Sequence, residues 1–321
     1  MKIHLVYAGS PDDPRIQSPY SITRNLYYYL KTRADVSYYI WDSYTEINPE
    51  PDDIFIGHPH YDPNTTVQRF FNNNKKCKMR CTIHPLHTNR IQDNMPFNEI
   101  AMMADKIFSI CGPYWYDTID QTPFAHWKPK IVRLDMAVDS KIWKYQKTKF
   151  NDPGRRNIVY VGSSMPQKNL GYLYNIVKSM PDTQFRWYGG SGDHPLANLK
   201  NMKIYGWCDF NDQNILREIY DFADIFLNVS NSDANPTTLL EFGLAGGLIP
   251  ICTETSGYWK SESFINITHN LDEAINTIST WLTKPTSELE NLSIKNRTIC
   301  EKEYTWDKFC STVWREINNN L

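Results

Sequence analysis

Two stretches of this chain begin in the same way, and that repetition limits the fold more than any other feature. Residues 3–9, Ile-His-Leu-Val-Tyr-Ala-Gly, form a short apolar run closed by glycine, followed by a polar loop and a helical stretch over 21–32. Residues 157–162, Asn-Ile-Val-Tyr-Val-Gly, open a second series with the same order of parts. Apolar runs of this length bounded by turn residues read as strands buried inside a sheet. Further strands are expected at 36–41, 53–57, 79–84 and 106–111, with helical pieces at 66–71 and 98–104. After 162 the pattern predicts a helix over 170–180, strands at 184–188 and 202–205, a helix over 213–223, a strand at 225–229, a helix over 237–245 and a strand at 248–252. Strands that alternate with helices pair in parallel, because the crossover helix must lie on a face of the sheet. The expected class is therefore α/β, with two doubly wound Rossmann-like domains facing a central cleft.

A chain of 321 residues exceeds what one hydrophobic core usually supports. The turn-rich segment 151–154, Asn-Asp-Pro-Gly, reads as the linker, which predicts domains at 1–150 and 151–304. The last stretch, 305–321, carries Trp306, Phe309, Val313, Trp314 and Ile317 at helical spacing. Its apolar face either completes the second core or packs back on the first, and the pattern does not choose.

Lys and Arg total 34 against 36 Asp and Glu, a net charge of −2. Such a surface offers no basic field for nucleic acid or anionic lipid, so neither is an expected partner. No apolar run approaches the roughly 18 residues of a membrane span, and the alternating start of the chain is not that of a signal peptide, so a cytoplasmic location is expected. The seven cysteines are odd in number and lack paired spacing, which predicts free thiols. Cys77 and Cys81 would need two further ligands to hold a metal. His58, His60, His84 and His87 follow expected strands and would suit zinc if their loops converged. No Asp-any-Asp triplet of the kind that fixes a divalent ion on a diphosphate is present. The expectation is a site without metal.

The segment with most chemistry is 230–253, which reads as strand end, loop, helix and next strand. Asp233 and Glu241 bracket seven residues. Pro236 suits a first helical position, and the free amides of Thr237 and Thr238 at that helix start suit an anion. The helix dipole adds about half a positive charge there. Glu241, just over a turn further on, has a carboxylate able to accept both hydroxyls of a ribose. Taken alone, the same residues also suit a helix cap and an ordinary surface glutamate.

This segment resembles the paired-acid motif of the retaining glycosyltransferases of family four, which have the two-Rossmann-domain B fold. Residues 161–170, Val-Gly-Ser-Ser-Met-Pro-Gln-Lys-Asn-Leu, are similar to the strand, loop and helix that open that family's donor domain. Residues 188–192, Tyr-Gly-Gly-Ser-Gly, resemble its next glycine loop, while 205–207 and 220–227 follow in the expected order. In the first half, 133–139 resembles the segment that closes the acceptor domain. Ordered motifs at these spacings make the resemblance specific. Two positions depart from the family: Asp233 stands where a glutamate is usual, one methylene shorter, and Ser163 stands where an arginine is usual.

The resemblance implies a retaining, metal-independent transferase of the hexosyl type. It would move a sugar from a nucleotide-diphosphate sugar, its substrate rather than a cofactor, to the hydroxyl of a glycan, lipid-linked or small-molecule acceptor in glycan or glycolipid biosynthesis. His84, Lys168 and Asp233 are the implied catalytic residues. The implied donor-binding set is Gly9, Ser163, Lys168, Trp207, Asp233, Asn235, Thr237, Thr238 and Glu241. Lys168 would neutralise the departing diphosphate, because negative charge grows there as the glycosidic bond breaks. The loop 10–20, with Asp12, Asp13 and Arg15, is expected on the acceptor side. Three other readings use the same architecture: a nucleotide-sugar isomerase, a binding module without turnover, and a transferase acting on modified DNA.

Overall fold

A computed structural model describes residues 1–41, 47–58, 76–139, 142–143 and 147–319. The chain forms two compact units, Met1–Met136 with Trp306–Leu321, and Ala137–Thr305. The helix expected over 66–71 lies outside the described residues.

The first unit is built on β1 (Lys2–Tyr7), β2 (Asp35–Ile40), β3 (Ile54–Gly57), β4 (Met79–Pro85), β5 (Lys106–Ile110) and β6 (Ile131–Leu134). They form one parallel sheet in the order β2-β1-β3-β4-β5-β6. All four residues of β3 are buried, as expected of a central strand covered on both faces. Phe55, Phe97, Trp115 and Trp127 fill one side of the sheet. The helix Ser18–Lys31 starts earlier than the apolar periodicity alone indicates, because Pro19 sits in its first turn, where a missing N–H costs nothing. The C-terminal helix Trp306–Asn318 belongs to this unit. It packs on Ser18–Lys31 with Phe309, Val313 and Ile317 buried, and Glu316 pairs with Lys106 at 3.3 Å.

The second unit contains β7 (Ile158–Val161), β8 (Phe185–Tyr188), β9 (Met202–Tyr205), β10 (Ile225–Asn228), β11 (Ile249–Thr253) and β12 (Ile265–Ile267). These also form one parallel sheet, in the order β12-β11-β10-β7-β8-β9. The expected strands are all present within a residue or two. The short strand β12 and the helices Leu271–Thr283 and Thr286–Glu303 extend this unit beyond the elements foreseen. Asn270 starts the first of these helices by accepting from the amides of Asp272 and Glu273 at 3.0 and 3.2 Å. No helix among the described residues is long and apolar enough to cross a membrane.

The division between units falls before residue 150, at Met136 and Ala137, and buried contacts explain why. Trp143 packs edge-on against Phe242 at 4.9 Å, and Phe150 joins the second core. Between them, Lys147 enters the protein and meets Asp224 at 3.2 Å, with both side chains almost wholly buried. Its ammonium also donates to the Tyr220 carbonyl at 2.9 Å. Asp224 in turn accepts from the backbone amides of Asn151 and Asn157 at 2.8 and 3.1 Å. The turn at 151–154 is thus held inside the second unit. Burial lowers the Lys147 pKa, with the Asp224 charge opposing that shift.

Removing one partner of such a pair leaves the other as an uncompensated buried charge. Asp224→Ala is therefore expected to destabilise the second unit by about 3 to 5 kcal/mol, read from urea unfolding. A loss below about 1 kcal/mol, the range of an exposed pair, would show that the ion pair does not anchor this segment.

Candidate functional site

Strand order in the second sheet reverses between β7 and β10. β7 pairs with β8 on one side and with β10 on the other, while the chain leaves β10 toward β11. In a doubly wound sheet the loops at such a reversal diverge to opposite faces, leaving a crevice at the carboxyl ends of the two strands where ligands bind. Here the two loops are 162–169 after β7 and 229–236 after β10.

Lys168 ends the short 3-10 turn Pro166–Lys168, after which Asn169, in a left-handed conformation, starts the helix Leu170–Ser179. Its ammonium meets the carboxylate of Asp233, and the two side chains are 19% and 18% exposed. The cation assigned from sequence to a diphosphate and the acid assigned to a sugar are thus in contact. A backbone hydrogen bond from Asn231 to the Gln167 carbonyl at 3.0 Å joins the two loops. The Asp233 amide donates to the Thr255 carbonyl at 3.0 Å. The Ser230 carbonyl receives the hydroxyls of Thr253 and Thr255 at 2.5 and 2.7 Å. Asp233 therefore sits on a hydrogen-bonded base supplied by the end of β11.

The β7 and β8 loops approach at backbone distance. Gly189 has φ 93°, and a Cβ there would lie 2.9 Å from the Gly162 carbonyl oxygen. That oxygen accepts from the Trp187 indole at 2.7 Å. A Cβ on Gly162 would meet the Tyr160 hydroxyl at 2.7 Å. Glycine at both positions lets the loops close down, and Ser163 is left exposed at their rim. Trp207, after β9, is 75% exposed, which leaves its ring face free to stack on a planar group.

The helix expected at 237–245 is present, but over Leu239–Ala245 it is widened to a π-helix, with the Gly246 amide returning to the Glu241 carbonyl at 2.7 Å. Widened turns of this kind concentrate at functional sites. Thr237 and Thr238 are half-buried at its start. Glu241 is not the ordinary exposed glutamate that sequence also allowed. It is half-buried, and burial pushes its carboxyl up to about 8. Asn235, expected among the donor-binding residues, is turned inward, with its carboxamide oxygen held by the Tyr258 hydroxyl at 2.7 Å. It braces the loop.

The first-unit candidates lie elsewhere in the chain's architecture. Gly9 follows β1, and its carbonyl accepts from the Tyr38 hydroxyl at 2.7 Å. In the loop 10–20, Arg15 pairs with Asp13 at 2.6 Å and holds that carboxyl down to about 2, so these two charges serve each other first. His84, expected to face a donor sugar, is fully buried near the end of β4, its ring 4.0 Å from Phe97. Burial pushes its pKa well below the usual value, and His58 and His87 push the same way, so the imidazole is neutral. Neither ring nitrogen has a hydrogen-bond partner among the described residues, nor do the buried hydroxyls of Thr82 and of Ser109, its neighbour in register on β5.

Among the described residues no group of three or more His, Cys, Asp or Glu side chains is arranged to hold a metal. His60 lies outside them. His58 Nδ1 lies 2.8 Å from the Ile83 carbonyl, and the Arg90 guanidinium donates to His87 at 3.1 Å. All seven cysteines are free thiols.

Sequence reasoning missed two contributors to the site. Thr255 left no signal, because its role depends on where β11 ends. Tyr160 left a weak one, a polar-tipped aromatic in the otherwise aliphatic run Ile-Val-Tyr-Val of β7.

Compared by sequence, the chain matches no protein-family model and no curated protein. Compared by structure, it is similar to sucrose-phosphate synthase from Thermosynechococcus elongatus, with a TM-score of 0.72 at 11% identity over 100% of both chains. It is also similar to the catalytic domain of starch synthase IV from Arabidopsis thaliana bound to ADP and acarbose, with a TM-score of 0.68 at 10% identity over 99% of both chains. TarM aligns with a TM-score of 0.62 at 14% identity, covering 93% of this chain and 58% of that one. The chain thus spans less than two thirds of TarM. At these identities the likeness establishes the fold, the α/β glycosyltransferase B type with two doubly wound units.

The raised carboxyl makes a testable claim about the unliganded site. The fold retains a proton on Glu241 that the unfolded chain releases near 4.5, so stability is full below that pH and is lost as pH rises through about 8. Glu241→Gln is expected to flatten the pH dependence of the urea midpoint between about pH 5 and about pH 8. Equal slopes for parent and variant would place the carboxyl in water.

Proposed function

We propose that this chain is a glycosyltransferase that moves a sugar from a nucleoside-diphosphate sugar to an acceptor hydroxyl, with retained anomeric configuration and without a metal ion. The observation that carries the reading is the meeting of Lys168 and Asp233 where the β7 and β10 loops diverge, just ahead of the helix start at Thr237. A cation, an acid and free helix amides at one crevice match the three parts of such a donor. The diphosphate takes Lys168 and the amides, and the sugar hydroxyls take Asp233. On this reading the half-buried Glu241 holds the ribose.

The chemistry needs little more. The bond from the anomeric carbon to the departing phosphate oxygen breaks as the bond to the acceptor oxygen forms. The acceptor proton passes to the phosphate oxygen, which leaves on the same face. Lys168 stabilises the negative charge that grows on the diphosphate, which is where fixed electrostatics lower a barrier most. That cation and the helix end together carry the charge that a divalent ion would otherwise balance. Trp207 and Ser163, both exposed near the carboxyl edge of the second sheet, complete the proposed donor surface. Glycan or glycolipid hydroxyls are the proposed acceptors, a net charge of −2 being poorly suited to a polyanionic one.

A panel of nucleotide sugars, followed by release of free nucleoside diphosphate, tests the reading. Lys168→Ala should lower kcat by about a hundred- to a thousandfold. Its urea midpoint should stay near that of the parent. Activity should survive EDTA, and the product should keep the donor's anomeric configuration by NMR. Unchanged kcat at saturating donor would remove Lys168 from the chemistry, and activity lost to EDTA and restored by manganese would reject the metal-free mechanism.

A further inference from the structure

Across the first sheet, Val6, Gly57, Thr82, Ile107 and Ile131 stand side by side in register on β1, β3, β4, β5 and β6. Val6, Ile107 and Ile131 belong to the apolar layer of Phe97, Trp115 and Trp127, so Thr82 faces that layer too. His84, two residues further along β4, lies on the same face, against Phe97. Ser109, its partner in register on β5, completes the group. All three residues are enclosed, at 0% exposure. The Thr82 and Ser109 hydroxyls and both ring nitrogens of His84 have no hydrogen-bond partner among the described residues. Burying even one such atom unpaired is costly, and here four share one face of two adjoining strands.

The neighbouring positions are small where room is needed. Gly57 beside Thr82 has no side chain, and Ser109 beside His84 ends at its hydroxyl. Adjacent strands lie about 4.8 Å apart and alternate residues along a strand about 6.6 Å, spacings that suit a bridging water between polar tips that do not bond directly. The group is also uncharged. Burial keeps the imidazole neutral, and Arg133, next in the row after Ser109, is held by Asp135 at 2.5 Å. These groups suit a small neutral occupant that both donates and accepts.

We propose that Thr82, His84 and Ser109 bind one internal water molecule, which bridges β4 to β5 near the carboxyl end of the first sheet. Two hydroxyls and one ring nitrogen give the water three partners, the usual number for a buried one. The bridge ties the imidazole to fixed strand positions. It needs nothing from the second unit, so the inference stands whether or not that unit binds a nucleotide.

Thr82→Val and Ser109→Ala each remove one hydroxyl with little change of shape. Each variant should have a lower urea midpoint than the parent, because the water loses a partner. In a dry apolar layer the same changes would remove an unpaired polar atom. A midpoint unchanged or raised in either variant therefore overturns the proposal. The double variant separates one shared water from two unrelated partners. Its loss should fall short of the sum of the single losses, since the second hydroxyl has nothing to bond once the water has gone. A loss equal to or above the sum would mean that the hydroxyls do not share a ligand, and would also overturn it. A crystal structure that shows ordered solvent gives the direct reading. Density for one oxygen about 2.7 to 3.2 Å from Thr82 Oγ1, Ser109 Oγ and a ring nitrogen of His84 is expected. Direct bonds among the three side chains, or close packing without such density, would reject the water.

Discussion

Parallel pairing of β7 with β10 is the constraint on which the site depends. Lys168 and Asp233 are 65 residues apart in sequence, and only the side-by-side placement of those two strands brings their loops together. The pairing is enforced from below by the apolar residues of both strands, Ile158, Ile225 and Leu227 among them, which share one core. At the amino end of β10 it is locked by Asp224, which gathers Lys147 and the amides of Asn151 and Asn157. One end of the strand is thus a saturated ion pair that holds the fold, and the other carries an ion pair that remains partly open to water.

The difference between those two pairs is one of completeness. Lys147 and Asp224 are buried together, and their remaining hydrogen bonds go to the Tyr220 carbonyl, the amides of Asn151 and Asn157 and the Asn151 carboxamide, so removing either partner would leave a charge in the core. Lys168 and Asp233 are each about one fifth exposed. A pair of this sort can be divided by an anionic ligand at a lower cost than a fully buried one, since both charges keep one side open to water. Glu241 fits the same picture of unmet electrostatics. Burial holds its carboxyl near 8, and hydroxyl donors arriving from a ligand would favour its ionised form.

The first unit shows a different kind of incompleteness. Thr82, His84 and Ser109 bring polar atoms that have no partner among the described residues into a buried layer with Phe97, Trp115 and Trp127. The histidine that the family resemblance singled out is therefore neutral and enclosed, and its electrostatics are set by desolvation before any ligand is considered.

Much of the fold was legible in the amino-acid sequence. Buried parallel strands need continuous apolar runs, and glycine or polar residues must end them, so β7, β9 and β10 could be placed within about a residue. The spacing of Asp233, Pro236 and Glu241 likewise identified the helix that follows the β10 loop, because helix starts favour such residue types. Tertiary structure decided the rest. A four-residue strand such as β6 or the three-residue β12 has no period to read, and a turn such as 151–154 looks like a linker until Lys147 is seen buried against Asp224. The destination of the last helix depended on which unit offered a matching face, and that was Ser18–Lys31. Sequence named Lys168 and Asp233 but gave them separate partners. That they hold each other follows from strand order, since a contact across 65 residues is fixed by the sheet and not by either local segment.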